Sequence, residues 1–389
     1  MMKNKNKKRR ICIVTGSRAE YGLLSSTMKA IAKNSKLDLA IVACGMHLES
    51  EFGSTFQEIN KDGFNINATV KMTPVDDSAE SMAKSVGVGI LGLVDAFKKI
   101  KPDVVLVLGD RVEAFASSIA SVYSNIPVAH IHGGDKNRNV DEVIRHTITK
   151  LAHIHFPATE NSRKRIIKMG EEKDRVFMVG APGLDFIQDE KLISPDEIFK
   201  KYNLNPAEPA ILVIQHPVTT ELKMAGKQME ETLKALVFLG YQSVIIYPNA
   251  DAGGRAMIKV LEKYTAKYPF LKTYKSIPRT DYLSLMNLVN VMAGNSSSGI
   301  IETSVFHLPV VNIGIRQKGR ERSSNVIDVP HDRRKIVTAI RKCIFDKTYL
   351  RKVKNCRNPY GKGGTGEKIA RILSNFSLTP NLLKKAITY

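Results

Sequence analysis

The stretch ICIVTGSRAEYGLLSSTMKAIAK, residues 11–33, decides the fold. A short apolar, β-branched run, ICIVTG, breaks at a glycine. An amphipathic segment, Tyr21–Lys33, follows at once. A strand feeding a helix through a tight turn is the unit of a parallel sheet covered by helices. The same alternation recurs outward along the chain. Further apolar runs are LDLAIVACG, DVVLVLGD and PVAHIH, then AILVIQHP, SVIIYPN, VNVMAGN and PVVNIG. Amphipathic stretches stand between them at Arg111–Tyr123, Val140–His153 and Met224–Leu239. Strands buried on both faces read as continuous apolar runs, as these do.

The runs form two series, separated by the looser segment GAPGLDFIQDEKLISPDE. The expectation is an α/β protein of two Rossmann-like, doubly wound domains with the active site in the cleft between them. The boundaries read as a basic, disordered tail over 1–10, a first domain over 11–185 and a second over 195–365. Residues 366–389 form a C-terminal helix and tail, with the helix packing back on the first domain. A length of 389 residues suits this count.

Composition narrows the class. Hydrophobic residues make up 43% of the chain, enough for full cores. No apolar run is long enough to span a bilayer, so no membrane partner is expected. The basic N-terminus lacks the apolar core of a signal peptide, and the expected compartment is the cytoplasm. Cys12, Cys44, Cys343 and Cys356 show no paired spacing and read as thiols, not as a zinc site or disulfide frame. The net charge of +21 raises a nucleic-acid binder as a competing class. The excess is scattered over separate patches, with no recognition motif beside it, so nucleic acid is not an expected partner.

In doubly wound sheets, ligands bind beyond the carboxyl ends of the strands. Here nearly every strand run ends in glycine or polar chemistry. TGSRAEYG is not a dinucleotide fingerprint, because only Gly16 and Gly22 are present. It still sets a glycine turn, Arg18 and a helix start together, which suits an anionic group. GNSSSGIIE offers Ser296 and Ser297 before a helix, with Glu302 inside its first turns. That carboxylate is placed to accept two ribose hydroxyls. The alternative is a serine-rich helix cap. GDRVEA puts Asp110 and Arg111 at a strand end, where they can pair with each other. HPVTTELK ends a strand at His216.

The segment HIHGGDKNRNVDEVIRHTITKLAH, residues 130–153, concentrates histidine and acid. His130 and His132 alternate on one strand run and should point the same way. Asp141, Arg145 and Ile148 share a helix face. No metal motif closes on itself, so no metal is expected. Asp110, His132, Asp135, Asp141 and Glu142 suit acid–base chemistry on one carbon.

Taken together, TGSRAEYG, GMHLESEFG, GDRVEAF, HIHGGD…DEVIRHTITKLAH, HPVTTELK, YPNADAG, GNSSSGIIE and GIRQKGRE resemble the hydrolysing UDP-N-acetylglucosamine 2-epimerases of sialic and legionaminic acid synthesis. The similarity runs from about Ile11 to Ser374. It implies a glycosyltransferase-B-like fold and a reaction without cofactor. A base takes the sugar C2 proton as UDP leaves C1, giving a 2-acetamidoglycal. Water then adds at C1, and a proton returns to C2 from the other face. UDP-GlcNAc is the expected substrate and a free ManNAc-type sugar the product. UDP-2,4-diacetamido-2,4,6-trideoxyglucose is the alternative substrate.

The resemblance carries Asp110, His132, Asp135, Asp141 and His216 over as catalytic residues, with His216 on the diphosphate side. Substrate contacts fall on Arg18, Ala19, Arg111, Arg145, Asn249, Ser296, Ser297, Glu302 and Arg316. Some relatives carry Glu at the His132 position. A homodimer or homotetramer is expected. Non-hydrolysing epimerases typically carry a Gln-His pair where this chain reads Met46-His47. A retaining glycosyltransferase of the same fold would lack the carboxylate cluster at C2.

Overall fold

A computed structural model of the chain describes residues 8–49, 54–72, 79–136, 140–218, 220–248 and 253–389; at 79, 140, 141, 188 and 189 only the backbone is described. Twelve strands form two all-parallel sheets among these residues. The first sheet contains β1 (Arg9–Thr15), β2 (Leu37–Cys44), β3 (Ala68–Val70), β4 (Val104–Leu108), β5 (Val128–Ile131) and β6 (Ile154–Phe156). The second contains β7 (Ala210–Ile214), β8 (Gln242–Ile246), β9 (Leu271–Tyr274), β10 (Val291–Gly294), β11 (Val310–Ile313) and β12 (Val326–Val329).

Their orders are β3-β2-β1-β4-β5-β6 and β12-β11-β10-β7-β8-β9. Both are the doubly wound order, reversing between β1 and β4 in one sheet and between β7 and β10 in the other. The two Rossmann-like sheets expected from the sequence are therefore present.

The chain divides into two compact units. One takes the residues up to Gln188 together with Tyr360–Tyr389; the other is Asp189–Pro359. In the first unit the strand pleat sorts side chains onto two faces. Ile11 and Ile13 join Leu24, Met28 and Ile31 of the helix Arg18–Lys33. Cys12 and Val14 face Leu93 and Phe97 of the helix Ala79–Ile100. Each fully buried aliphatic side chain contributes roughly 1.5–3 kcal/mol.

The helix Thr365–Asn375 packs beside Arg18–Lys33 and adds Ile369, Ala370 and Leu373 to the first of these faces. Its start is tied down by Asp185, whose carboxylate accepts from the Thr365 and Gly366 amides at 2.8 and 2.7 Å. The tail beyond it is held by Lys385 and Arg175, which reach Glu171 and the Leu382 carbonyl respectively. In the second unit Ile211 and Val213 pack with Met229, Leu233 and Leu236 of the helix Ala225–Leu239.

Candidate functional site

In the first unit the polar groups gather where β4 and β5 end. The Gly109 amide donates to the Ile131 carbonyl at 2.9 Å, and the His132 amide to the Phe156 carbonyl at 3.1 Å. These bonds set Asp110 and His132 side by side just past two paired strands. β5 stops at Ile131, and His132 turns into the left-handed region at φ 62°. The alternation expected of His130 and His132 is therefore broken. His130 is buried, with Nε2 at 2.7 Å from the Gly109 carbonyl, and burial lowers its pKa to about 3. His132 turns away from that packing. A non-glycine residue at positive φ is uncommon, and such conformations gather at functional sites.

His132 meets a carboxylate. Its Nδ1 lies 3.0 Å from Asp135 Oδ2, and Asp135 Oδ1 accepts the Ser162 hydroxyl at 2.7 Å. A carboxylate on Nδ1 holds the imidazole in the tautomer that leaves Nε2 for proton transfer. Asp110 does not pair with Arg111. It makes its ion pair with Arg145, which is 4% exposed and also donates to the Asp135 carbonyl at 3.0 Å. Arg145, expected as a substrate contact, thus braces both acids from inside the fold. Arg111 turns instead to Glu113, with Nε–Oε2 at 3.1 Å and Nη2–Oε1 at 3.0 Å. Asp141 lies in the helix Val140–Leu151, and its side chain is outside the described residues.

At the end of β1, Ser17 caps the helix Arg18–Lys33 by accepting from the Glu20 amide. Glu20 Oε2 in turn accepts from the Gly16 amide at 2.6 Å. Burial, with Glu113 adding to it, raises the Glu20 pKa to about 7. Arg18 and Ala19 are exposed on the first turn, Arg18 paired with Glu58 at 3.0 Å.

In the second unit the strand ends β7, β10 and β11 converge on Asn295. Its side chain clamps the His216 backbone, accepting from the amide at 2.7 Å and donating to the carbonyl at 2.9 Å. Its own carbonyl accepts from Arg316 at 3.2 Å and Gln317 at 2.9 Å. Burial, with Arg316 beside it, lowers the His216 pKa to about 4, so the ring is neutral at pH 7. Arg316 therefore supplies the positive charge of that pair.

Ser296 and Ser297 precede a helix of only four residues, Ser298–Ile301. Glu302 falls at its end, not inside its first turns. Its carboxylate is held by Arg279 at 3.0 and 3.1 Å and by the Ser298 hydroxyl at 2.7 Å. Asn249 lies outside the described residues.

Glu20, Glu113, Arg279 and Gln317 were not legible as site residues. Ser17-x-x-Glu20 carries the signature of a helix capping box, which hides a buried acid as a cap. Among the described residues no group of three or more His, Cys, Asp or Glu is placed to hold a metal ion. No described helix is long and apolar enough to cross a membrane.

A doubly wound pair of sheets with these strand-end groups defines a class, and the comparisons give the family. The UDP-N-acetylglucosamine 2-epimerase profile matches residues 29–374. A UDP-N,N'-diacetylbacillosamine 2-epimerase (hydrolyzing) of Legionella pneumophila is 40% identical over 98% of this chain and all of the relative. A GDP/UDP-N,N'-diacetylbacillosamine 2-epimerase (hydrolyzing) of Campylobacter jejuni is 36% identical over 82% of this chain and 84% of the relative. The structure of a UDP-GlcNAc 2-epimerase from Neisseria meningitidis bound to UDP-GlcNAc shares the fold, with a TM-score of 0.81, 19% identity and coverage of 94% and 99%. The chain belongs to the UDP-N-acetylglucosamine 2-epimerase family and is an enzyme of its hydrolysing type.

Proposed function

We propose that this enzyme acts on UDP-2,4-diacetamido-2,4,6-trideoxyglucose, releasing UDP and the free sugar inverted at C2. The preference over UDP-GlcNAc rests on the relatives at 40% and 36% identity, both of which bear diacetylbacillosamine names. The observation that carries the chemistry is the His132–Asp135 pair beside Asp110. C2 inversion needs one group to remove a proton and another to return one on the opposite face. A histidine oriented by a carboxylate supplies one of them, and Asp110 or Asp141 supplies the other.

In the first half-reaction the C2–H electron pair forms the C1–C2 double bond and the C1–O bond to UDP breaks. In the second, water adds at C1 and a proton at C2. The balance is one water consumed, with UDP and one reducing sugar formed. Ser296, Ser297, His216 and Arg316 take the diphosphate, and Glu302 with Arg279 takes the ribose.

The test is incubation in D₂O with the UDP- and GDP-linked diacetamido sugars and with UDP-GlcNAc, followed by NMR. The expected result is free diacetamido sugar of manno configuration carrying deuterium at C2, with UDP. Faster turnover of UDP-GlcNAc would reverse the substrate assignment. Release of a C2-inverted sugar still bound to UDP would refute the hydrolytic step.

A further inference from the structure

We infer that Glu113 is a positioning residue that fixes the pose of Arg111 for the sugar nucleotide. The inference rests on the sugar-nucleotide reading above. Arg111 is the residue before the helix Val112–Tyr123, with extended backbone at φ −67° and ψ 157°. Glu113 stands in the first turn of that helix. A carboxylate there ordinarily points to water near the positive helix end. This one is 3% exposed. Its two oxygens take the two-pronged grip on Arg111 described above, the geometry that fixes a guanidinium in direction as well as place.

The carboxylate is closely packed. It is wedged against the turns that end β1 and β2. A Cβ at Gly16 would lie 2.3 Å from Glu113 Cδ, and one at Gly45 would lie 2.6 Å from Oε1. Residues from the ends of β1, β2 and β4 therefore enclose the acid. Arg111 Nη2 also sits 3.7 Å from Met46 Sδ, which closes one side of the guanidinium. Arg111 itself is 40% exposed, and no protein partner of Nη1 is found among the described residues.

The arrangement separates two tasks. The buried acid holds, and the half-open arginine presents donors beside the β1/β4 switch point, where ligands of this fold bind. Burial alone would lower the Arg111 pKa, but Glu113 raises it, so the guanidinium stays charged. Its free N–H groups suit an oxygen acceptor on the sugar nucleotide.

The experiment compares wild type, Glu113→Gln, Arg111→Met and the double variant in kcat, KM and thermal melting. Loss of one charge-assisted grip predicts a fall of about 10- to 100-fold in kcat/KM for Glu113→Gln, with melting little changed. Arg111→Met falls at least as far, and adding Glu113→Gln to it causes no further loss. Multiplying losses in the double variant would overturn the inference, as would wild-type kcat/KM in Glu113→Gln. If Glu113→Gln does not fold, Glu113→Asp replaces it. That change keeps the charge but withdraws the carboxylate by one methylene, and it should still lower kcat/KM at unchanged melting. A crystal structure of the folded variant supplies a readout independent of turnover. Arg111 leaves its wild-type pose if the inference holds and keeps it if the inference fails. Should the wild type turn over no sugar nucleotide, the functional reading falls, and the Arg111 pose alone decides this one.

Discussion

Replacing Glu171 with glutamine should destabilise the first unit by an amount that depends on pH. Glu171 is 3% exposed. Lys385 Nζ lies 2.6 Å from Oε2, Lys150 Nζ 2.6 Å from Oε1, and His155 Nε2 3.1 Å from Oε2. Burial would raise the Glu171 pKa, but His155 and the two lysines outweigh it and bring it from 4.5 to about 2. Burial lowers the His155 pKa, against the pull of Glu171, so the imidazole is neutral near pH 7 and donates its Nε2–H. The two lysines more than offset the single negative charge of the carboxylate.

A folded-state pKa below the unfolded one contributes stability above the unfolded value and loses it as pH falls toward the folded value. The shift corresponds to about 3 kcal/mol at pH 7, falling to roughly 1 kcal/mol by pH 3. The chain has no tryptophan, so far-UV circular dichroism in urea is the suitable probe. Wild type and Glu171→Gln are compared at several pH values from 7 down to 3. The gap should narrow as the pH falls. A gap that stays constant would mean that the loss is one of packing and would refute the charge argument. A Lys385→Met variant should show a smaller loss in the Glu171→Gln background than alone.

Three further outcomes follow from the sites. His132→Asn should lower kcat by about 10²–10⁴-fold with little change in melting, and UDP release at the wild-type rate would remove it from proton transfer. Gly294 has φ 129°, and a Cβ there would lie 2.0 Å from the Ile214 carbonyl oxygen, so Gly294→Ala should push β10 from β7, loosen the Asn295–His216 clamp and weaken UDP binding by calorimetry. Glu20, raised to about 7 by burial and then by Glu113, holds a proton when folded that the unfolded chain releases between about pH 4.5 and 7. Stability therefore falls as pH rises through that window, and Glu20→Gln should flatten the dependence in urea midpoints taken at pH 5 and 8.

The strand–helix alternation was legible because most strands are continuous apolar runs. β3, β6, β9 and β12 were not, being only three or four residues long and without such a run. The helix Ala79–Ile100 carries three glycines, which weaken its intrinsic helix propensity. Two of them, Gly89 and Gly92, face Met72 and Val70, where a Cβ would come within 2.7 and 2.6 Å. Tertiary packing set those residues against helix propensity. At the site, Asp110, His132 and Asp135 stood out because polar residues after strands have few packing roles. The bracing roles did not. Arg145 was expected to touch substrate and instead braces Asp110 and the Asp135 carbonyl, and Glu113, which looks like an ordinary helix residue, braces Arg111.

The first unit is assembled from both ends of the chain, and this governs how it is made. Its last strand, β6, is complete at Phe156, while the helix that covers one sheet face begins at Thr365, about 200 residues later. At roughly 5–20 residues per second, the nascent sheet waits about 10–40 s for that cover. The second unit lies wholly within the interval and can fold first. A chain released early would leave the ribosome with the apolar row of Ile11, Ile13 and Leu24 missing part of its partner surface. Synthesis through the helix Thr365–Asn375 is thus built into the fold as a condition for closing the first core.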